Sequence, residues 1–132
     1  MDQGETEYWQ DFVKTAISEG RVFLTYQWIA VRSGPIINEV LARILYPGNE
    51  GQRKIAPAYL WIDAVCSDEA LARTLDWHVL NLALKQGVPP RHQIWINCTA
   101  HTLRDRQFVQ RLGLLFSRHD VNPNQVAIEL TE

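Results

Sequence analysis

The sequence predicts an α/β domain: an N-terminal helix and an antiparallel hairpin, then parallel strands with helical crossovers. Three observations carry this. From the second strand onward, β-branched runs alternate with helical patterns in the order strand, helices, strand, helix, strand. The first two strands are separated by a short turn, Ser33-Gly34-Pro35, which marks an antiparallel hairpin. The chain has 132 residues, 46% of them hydrophobic, with no internal repeat and no long linker, so residues 1–132 read as one domain. A compact chain of this size buries about two-thirds of its unfolded surface.

Each element has its own signal. From Glu5 to Glu19, Tyr8, Trp9, Phe12, Val13, Ala16 and Ile17 recur at helical spacing, and Gly20 closes the helix. Val22 to Val31 is β-branched and aromatic, and Ile36 to Tyr46 resumes as a second strand. Pro47 to Gly51 is loop by composition, and Pro57 can open a short helix at its first turn. Ser67 or Asp68 caps a longer helix to Gln86, with Leu71, Leu75, Val79, Leu82 and Ala83 on one face. Gly87 ends it, and Pro89-Pro90 forbids its continuation. Ile94 to Cys98 is a short apolar strand. Asp105 to His119 is a helix with Phe108, Val109, Leu112, Leu115 and Phe116 inward. A turn at Asn122-Pro123-Asn124 leads to a last strand, Val126 to Thr131.

Composition excludes several classes. Thirteen Lys and Arg against fifteen Asp and Glu give a net charge of -2, without the basic excess of a duplex-binding protein, so no DNA partner is expected. No apolar run approaches the roughly 20 residues of a membrane span, and the polar, acidic N-terminus is no signal peptide. Two cysteines, Cys66 and Cys98, make no disulfide framework and point to a reducing cytoplasm.

Charged residues inside apolar strands are the functional signal. Glu39, Leu41 and Arg43 share one face of the second strand, Asn97 stands near the end of the third, and Glu129 lies within Val-Ala-Ile-Glu-Leu-Thr. Parallel α/β folds hold ligands at the C-terminal ends of their strands. Two carboxylates and an amide meeting there are hard oxygen donors suited to Mg²⁺, Mn²⁺ or Ca²⁺. Arg104, Arg111 and Arg118 recur every seven residues and read as a solvated helix face in preference to a contact with RNA or an acidic protein. Cys98 and His101 are half of a zinc site with no second half, and no phosphate-binding or dinucleotide-binding glycine motif occurs. Trp28, Trp61, Trp77 and Trp95 read as core in preference to a base-stacking platform, with Trp28 expected near the mouth of the sheet.

Thr25-Tyr26-Gln27-Trp28-Ile29, Glu39-Val40-Leu41-Ala42-Arg43, Pro57-Ala58-Tyr59-Leu60, Asn97-Cys98-Thr99-Ala100 and Glu129-Leu130-Thr131-Glu132 together resemble segments of the EAL domains, the bacterial family of cyclic di-GMP phosphodiesterases. Thr25-Tyr26-Gln27-Trp28-Ile29 is similar to the family's Tyr-Gln-Pro-Ile opening, and Glu39-Val40-Leu41-Ala42-Arg43 to its namesake Glu-Ala-Leu-Leu-Arg. Pro57-Ala58-Tyr59-Leu60 resembles its Pro-x-x-Phe, Asn97-Cys98-Thr99-Ala100 its Asn-Leu-Ser-Ala, and Glu129-Leu130-Thr131-Glu132 its Glu-Ile-Thr-Glu. The matches keep the family's order from about residue 10 to the last residue. The resemblance implies a partial, half TIM-like barrel of the EAL type. It also implies metal ligands at Glu39, Asn97 and Glu129 for Mg²⁺ or Mn²⁺, a phosphate contact from Arg43, and Gln27 and Leu41 against the dinucleotide.

The departures bear on activity. Val40 replaces the namesake alanine, Trp28 stands where the family has proline, and Val65 stands near where it has an acidic residue. TIM barrels take about 250 residues, and the family's consecutive aspartates, its lysine and its last glutamate belong to a half that this sequence does not contain. The expectation is therefore a catalytically inactive, truncated domain acting in cyclic di-GMP-linked signalling. It would work through self-association or a protein partner covering the open half-barrel, with at most weak cyclic di-GMP binding. The alternative is the N-terminal fragment of a phosphodiesterase, active only with its other half.

Overall fold

The computed structural model describes residues 1–29, 33–48 and 53–131; Val31, the loop residues Asn49 to Gly51 and Glu132 lie outside them. Helix α1 (Gln3–Ser18) starts at Asp2, whose carboxylate accepts the Glu5 backbone N–H at 2.8 Å. Strands β1 (Val22–Ile29) and β2 (Ile36–Leu45) form the expected hairpin, with Gln27 opposite Glu39, Thr25 opposite Leu41 and Phe23 opposite Arg43. A two-residue strand, β3 (Ile55–Ala56), pairs antiparallel with the end of β2. Helices α2 (Ala58–Cys66) and α3 (Glu69–Gln86) follow. Asp68 caps α3 by accepting the Leu71 N–H, and Gly87 leaves it at φ 78°, a left-handed conformation that glycine adopts without a side-chain penalty.

Strand β4 (His92–Thr99) lies parallel to β2, and β5 (Val126–Thr131) parallel to β4. Between them run a single-turn helix α4 (Ala100–Leu103) and α5 (Phe108–His119). The strand order is β1-β2-β4-β5, so the sheet is open among the described residues. This is the α/β architecture expected, with a sheet left open among the described residues.

Side-chain alternation divides the sheet into two faces. Val22, Val40, Ile44, Ile94, Ile96 and Cys98 point to the helices and are buried with Phe12, Val13, Trp61, Leu80 and Leu84 in one core. The opposite face carries Gln27, Glu39, Leu41, Arg43, Trp95, Asn97 and Glu129, all at least partly open to solvent.

Several details differ from the sequence reading. Helix α5 has no buried residue, and Val109, expected inward, is 79% exposed, because the helix covers only one flank of α3. Leu82 and Trp77 are half-buried, and Trp61 alone of the four tryptophans considered is fully buried. Trp28 is 67% exposed and is not at the mouth: β1 runs antiparallel to β2, so its far end pairs with Asn38 near the start of β2. No helix is long and apolar enough to cross a membrane among the described residues.

Candidate functional site

The side chains singled out by sequence gather on the open face of the sheet, and the register explains why. Glu39 lies opposite Gln27 on one side and Trp95 on the other, while Asn97 lies opposite Glu129. Asn97 is therefore one side-chain level above Glu39, on the neighbouring strand and the same face. Its Nδ2 donates to Glu39 Oε1 at 3.4 Å, a long bond bridging β2 and β4. Glu129, in register with Asn97 on β5, extends the row. Arg43 stands toward the end of β2 with its Nε donating to Thr25 Oγ1 at 3.2 Å, which fixes the stem and leaves the outer guanidinium nitrogens without a carboxylate partner within ion-pair distance among the described residues.

At the ends of β2, β4 and β5, between the sheet and helices α2 and α3, lies a cleft of about 320 Å³, with Val40 and Ala42 of the helix-facing side among its lining. Leu41, Arg43, Asn97, Thr99 and Thr131 contribute from the strands, and Trp61, Ile62, Asp76 and Val79 from α2 and α3. It is a mostly apolar slot with a few convergent polar groups, the usual make-up of a small-molecule site. Gln27, Glu39 and Glu129 do not line it; Gln27 is exposed.

The donor chemistry can be tested against a divalent cation. Glu39, Glu129 and the Asn97 carbonyl oxygen are oxygen ligands of the kind that Mg²⁺ and Mn²⁺ accept, with water completing the shell. Among the described residues no three His, Cys, Asp or Glu side chains come together as a metal-binding group, so an ion here would rest on two carboxylates and one amide. The amide turns its N–H toward Glu39, and holding a cation requires a half-turn to present its oxygen. The residues fit a weakly held hard cation.

Asp76 is a component to which the sequence reading gave no role, although its stretch Leu75 to Leu80 also resembles one in EAL domains. It lines the cleft, is 8% exposed, and accepts from Thr99 and Thr102. Burial pushes its carboxyl above the ordinary range, opposed by those hydrogen bonds. The available signal was one acidic residue on an apolar helix face.

Two other sequence features resolve differently. His101 Nε2 donates to the Cys66 carbonyl at 2.9 Å, and Cys98 is buried with its thiol pushed up to about 12 by desolvation, so the Cys98–His101 pair builds no metal site. Of the arginine row, Arg111 lies over the Trp77 ring at 4.1 Å and 3.8 Å from Asp105, and Arg118 flanks the same outer groove between α3 and α5.

Several known proteins resemble this chain in sequence or in fold. The probable cyclic di-GMP phosphodiesterase PdeA of Escherichia coli (strain K12) is 29% identical over 123 residues, which is 91% of this chain and 16% of PdeA. The EAL domain of FimX from Pseudomonas aeruginosa, solved with c-di-GMP bound, superposes with a TM-score of 0.75 at 20% identity, covering 92% of this chain and 49% of that one. The PaMucR phosphodiesterase in its c-di-GMP complex gives 0.76 at 21% identity, covering 95% and 52%. This chain thus spans about half the length of those solved structures and a smaller share of PdeA. No family model matches it. The likeness takes in the N-terminal helix, the hairpin and the parallel strands, so this chain shares the fold of EAL domains over about half the length of one.

Proposed function

We propose that these 132 residues form a degenerate EAL-type domain that retains a face for cyclic di-GMP and acts in signalling through a protein contact, without hydrolysing the dinucleotide. The observation that carries the reading is the shared face of Arg43 and Asn97: both line one cleft, and Asn97 meets Glu39 across the strands. A guanidinium at the cleft suits phosphate oxygens, because its planar fork donates two parallel hydrogen bonds. Leu41 and the apolar wall of Trp61, Ile62 and Val79 suit the flat face of a purine. Gln27, opposite Glu39 on β1 and outside the cleft, would meet only the more distant part of an extended ligand.

A divalent cation held by Glu39, Asn97 and Glu129 would neutralise and orient phosphate charge. Hydrolysis by a two-metal route needs a second set of ligands and an oriented water. The described residues offer one oxygen-donor row, which favours binding over turnover. The alternative, an enzyme fragment completed by further residues, is supported by the same row, since Glu39, Asn97 and Glu129 stand on three adjacent strands of one sheet face.

The open sheet supports the protein-contact half of the proposal. Edge strands β1 and β5 present unpaired backbone groups among the described residues, and Trp28 and Leu130 are exposed near them. A second copy of the chain would cover them. Calorimetric titration of cyclic di-GMP with Mg²⁺ or Mn²⁺, on material of known mass by light scattering, tests the reading. Saturable binding lost in Arg43→Ala supports it, and absence of heat at millimolar ligand removes the dinucleotide. Release of the linear dinucleotide by the chain alone would overturn the non-hydrolysing role.

A further inference from the structure

Helix α3 buries Leu75, Val79, Leu80, Ala83 and Leu84 against the sheet, and among them stands one carboxylate, Asp76. Its Oδ2 takes three hydrogen bonds, all from the junction between β4 and α4. The Thr99 backbone N–H and the Thr99 hydroxyl each donate at 2.9 Å, and the Thr102 hydroxyl donates at 2.5 Å. Thr99 and Thr102 are themselves buried. Thr99 is the N-cap of α4, yet its hydroxyl makes no capping bond; it is turned to Asp76 instead. Asn97 stands two residues before Thr99 on the same strand face, and all three residues line the cleft with Arg43.

An apolar side chain at position 76 would bury α3 against the sheet as well as an aspartate does. A buried carboxylate is tolerated only where donors compensate it, and a fully satisfied polar cluster fixes one arrangement where apolar packing permits several. Here the arrangement fixed is the height of the β4 end relative to α3. That height matters because a one-residue slip of a strand turns every side chain to the other face, and Asn97 would leave the site.

We propose that Asp76 is a positioning residue for Asn97: by clamping the Thr99 N–H and the two threonine hydroxyls, it holds the end of β4 so that the Asn97 amide stays within reach of Glu39. The consequence for ligand binding rests on the function proposed above, whereas the placement of Asn97 does not and is measured without ligand.

The test uses Asp76→Asn, Asp76→Ala and Thr102→Val, the last removing one donor from the clamp at nearly constant volume. In the free chain, NMR follows the side-chain NH₂ pair of Asn97, assigned by its loss in Asn97→Ala. The pair is expected to shift in both Asp76 variants and, by less, in Thr102→Val. A purely structural role lowers the thermal midpoint and leaves that pair where it is, which would overturn the proposal. Should Asp76→Ala fail to fold, Asp76→Asn and Thr102→Val decide. With cyclic di-GMP and Mg²⁺, Asp76→Asn is expected to weaken binding about tenfold in the native background and to add nothing in Asn97→Ala. Equal losses in both backgrounds would show that Asp76 acts independently of Asn97. If the unaltered chain binds no dinucleotide, the functional reading fails, and the Asn97 resonances still decide the positioning role.

Discussion

Trp61 offers the clearest quantitative check on how the cleft wall is held. It lies on α2, 3% exposed, and its indole N–H donates to the Ala56 carbonyl at 3.3 Å, tying α2 to β3 and so to the end of β2. Trp61→Phe keeps a ring but leaves the buried Ala56 carbonyl without that donor, a loss of about 1–2 kcal/mol. Trp61→Ala adds a cavity where most of the side chain stood, raising the loss to about 3–5 kcal/mol. Unfolding entropy of about 2.1 cal/mol/K per residue over 132 residues is about 0.28 kcal/mol/K. The thermal midpoint should therefore fall by about 4–7 °C for Phe and about 11–18 °C for Ala, followed by far-UV circular dichroism. A fall under about 3 °C for Trp61→Ala would refute the claim that α2 is anchored through this residue.

Other outcomes follow from the same physics. Desolvation and the nearby Asp76 hold the Cys98 thiol at about 12, so native protein at pH 8 should resist a maleimide at Cys98, react slowly at the half-buried Cys66, and react at both once unfolded, as peptide mass spectrometry would show. Because the native state keeps the Cys98 proton that the unfolded chain loses, this thiol's contribution to stability should decline between about pH 9 and 12, a decline that Cys98→Ala removes in urea titrations. Asp76 has the same sign in acid: its carboxyl is raised, chiefly by burial, so its contribution is complete below pH 3.8 and falls as pH climbs through the native value. Asp76→Asn should flatten that slope. Val109→Lys on the exposed side of α5 should change stability by less than about 0.5 kcal/mol, measured by urea unfolding.

How much of this was readable beforehand depends on the length of each signal. The α3 boundaries were legible because Asp68, Gly87 and the proline pair mark them chemically, and the observed cap and positive φ match. The site face was legible because period-2 alternation puts Glu39, Leu41 and Arg43 together whatever the rest of the chain does. β3 and α4 were not, since two and four residues are too few to show a period. Val109 was misplaced because the apolar stripe of α5 is wider than the neighbour it packs on. Trp28 was misplaced for a topological reason: the end of an antiparallel strand is the opposite end of the sheet from the mouth. Asp76 was hidden because its partners, Thr99 and Thr102, are distant in sequence and look like ordinary hydroxyls.

In the proposed function, the face shared by Arg43 and Asn97 takes the dinucleotide. The direct measurement is an ¹⁵N NMR titration of the chain with cyclic di-GMP and Mg²⁺, following the Arg43 Nε and the Asn97 side-chain amide. Saturable shifts at these two groups and along the ends of β2 and β4, with α1 and the exposed side of α5 unmoved, are the predicted result. Shifts confined to the outer groove at Trp77 and Arg111, or none at all, would contradict it.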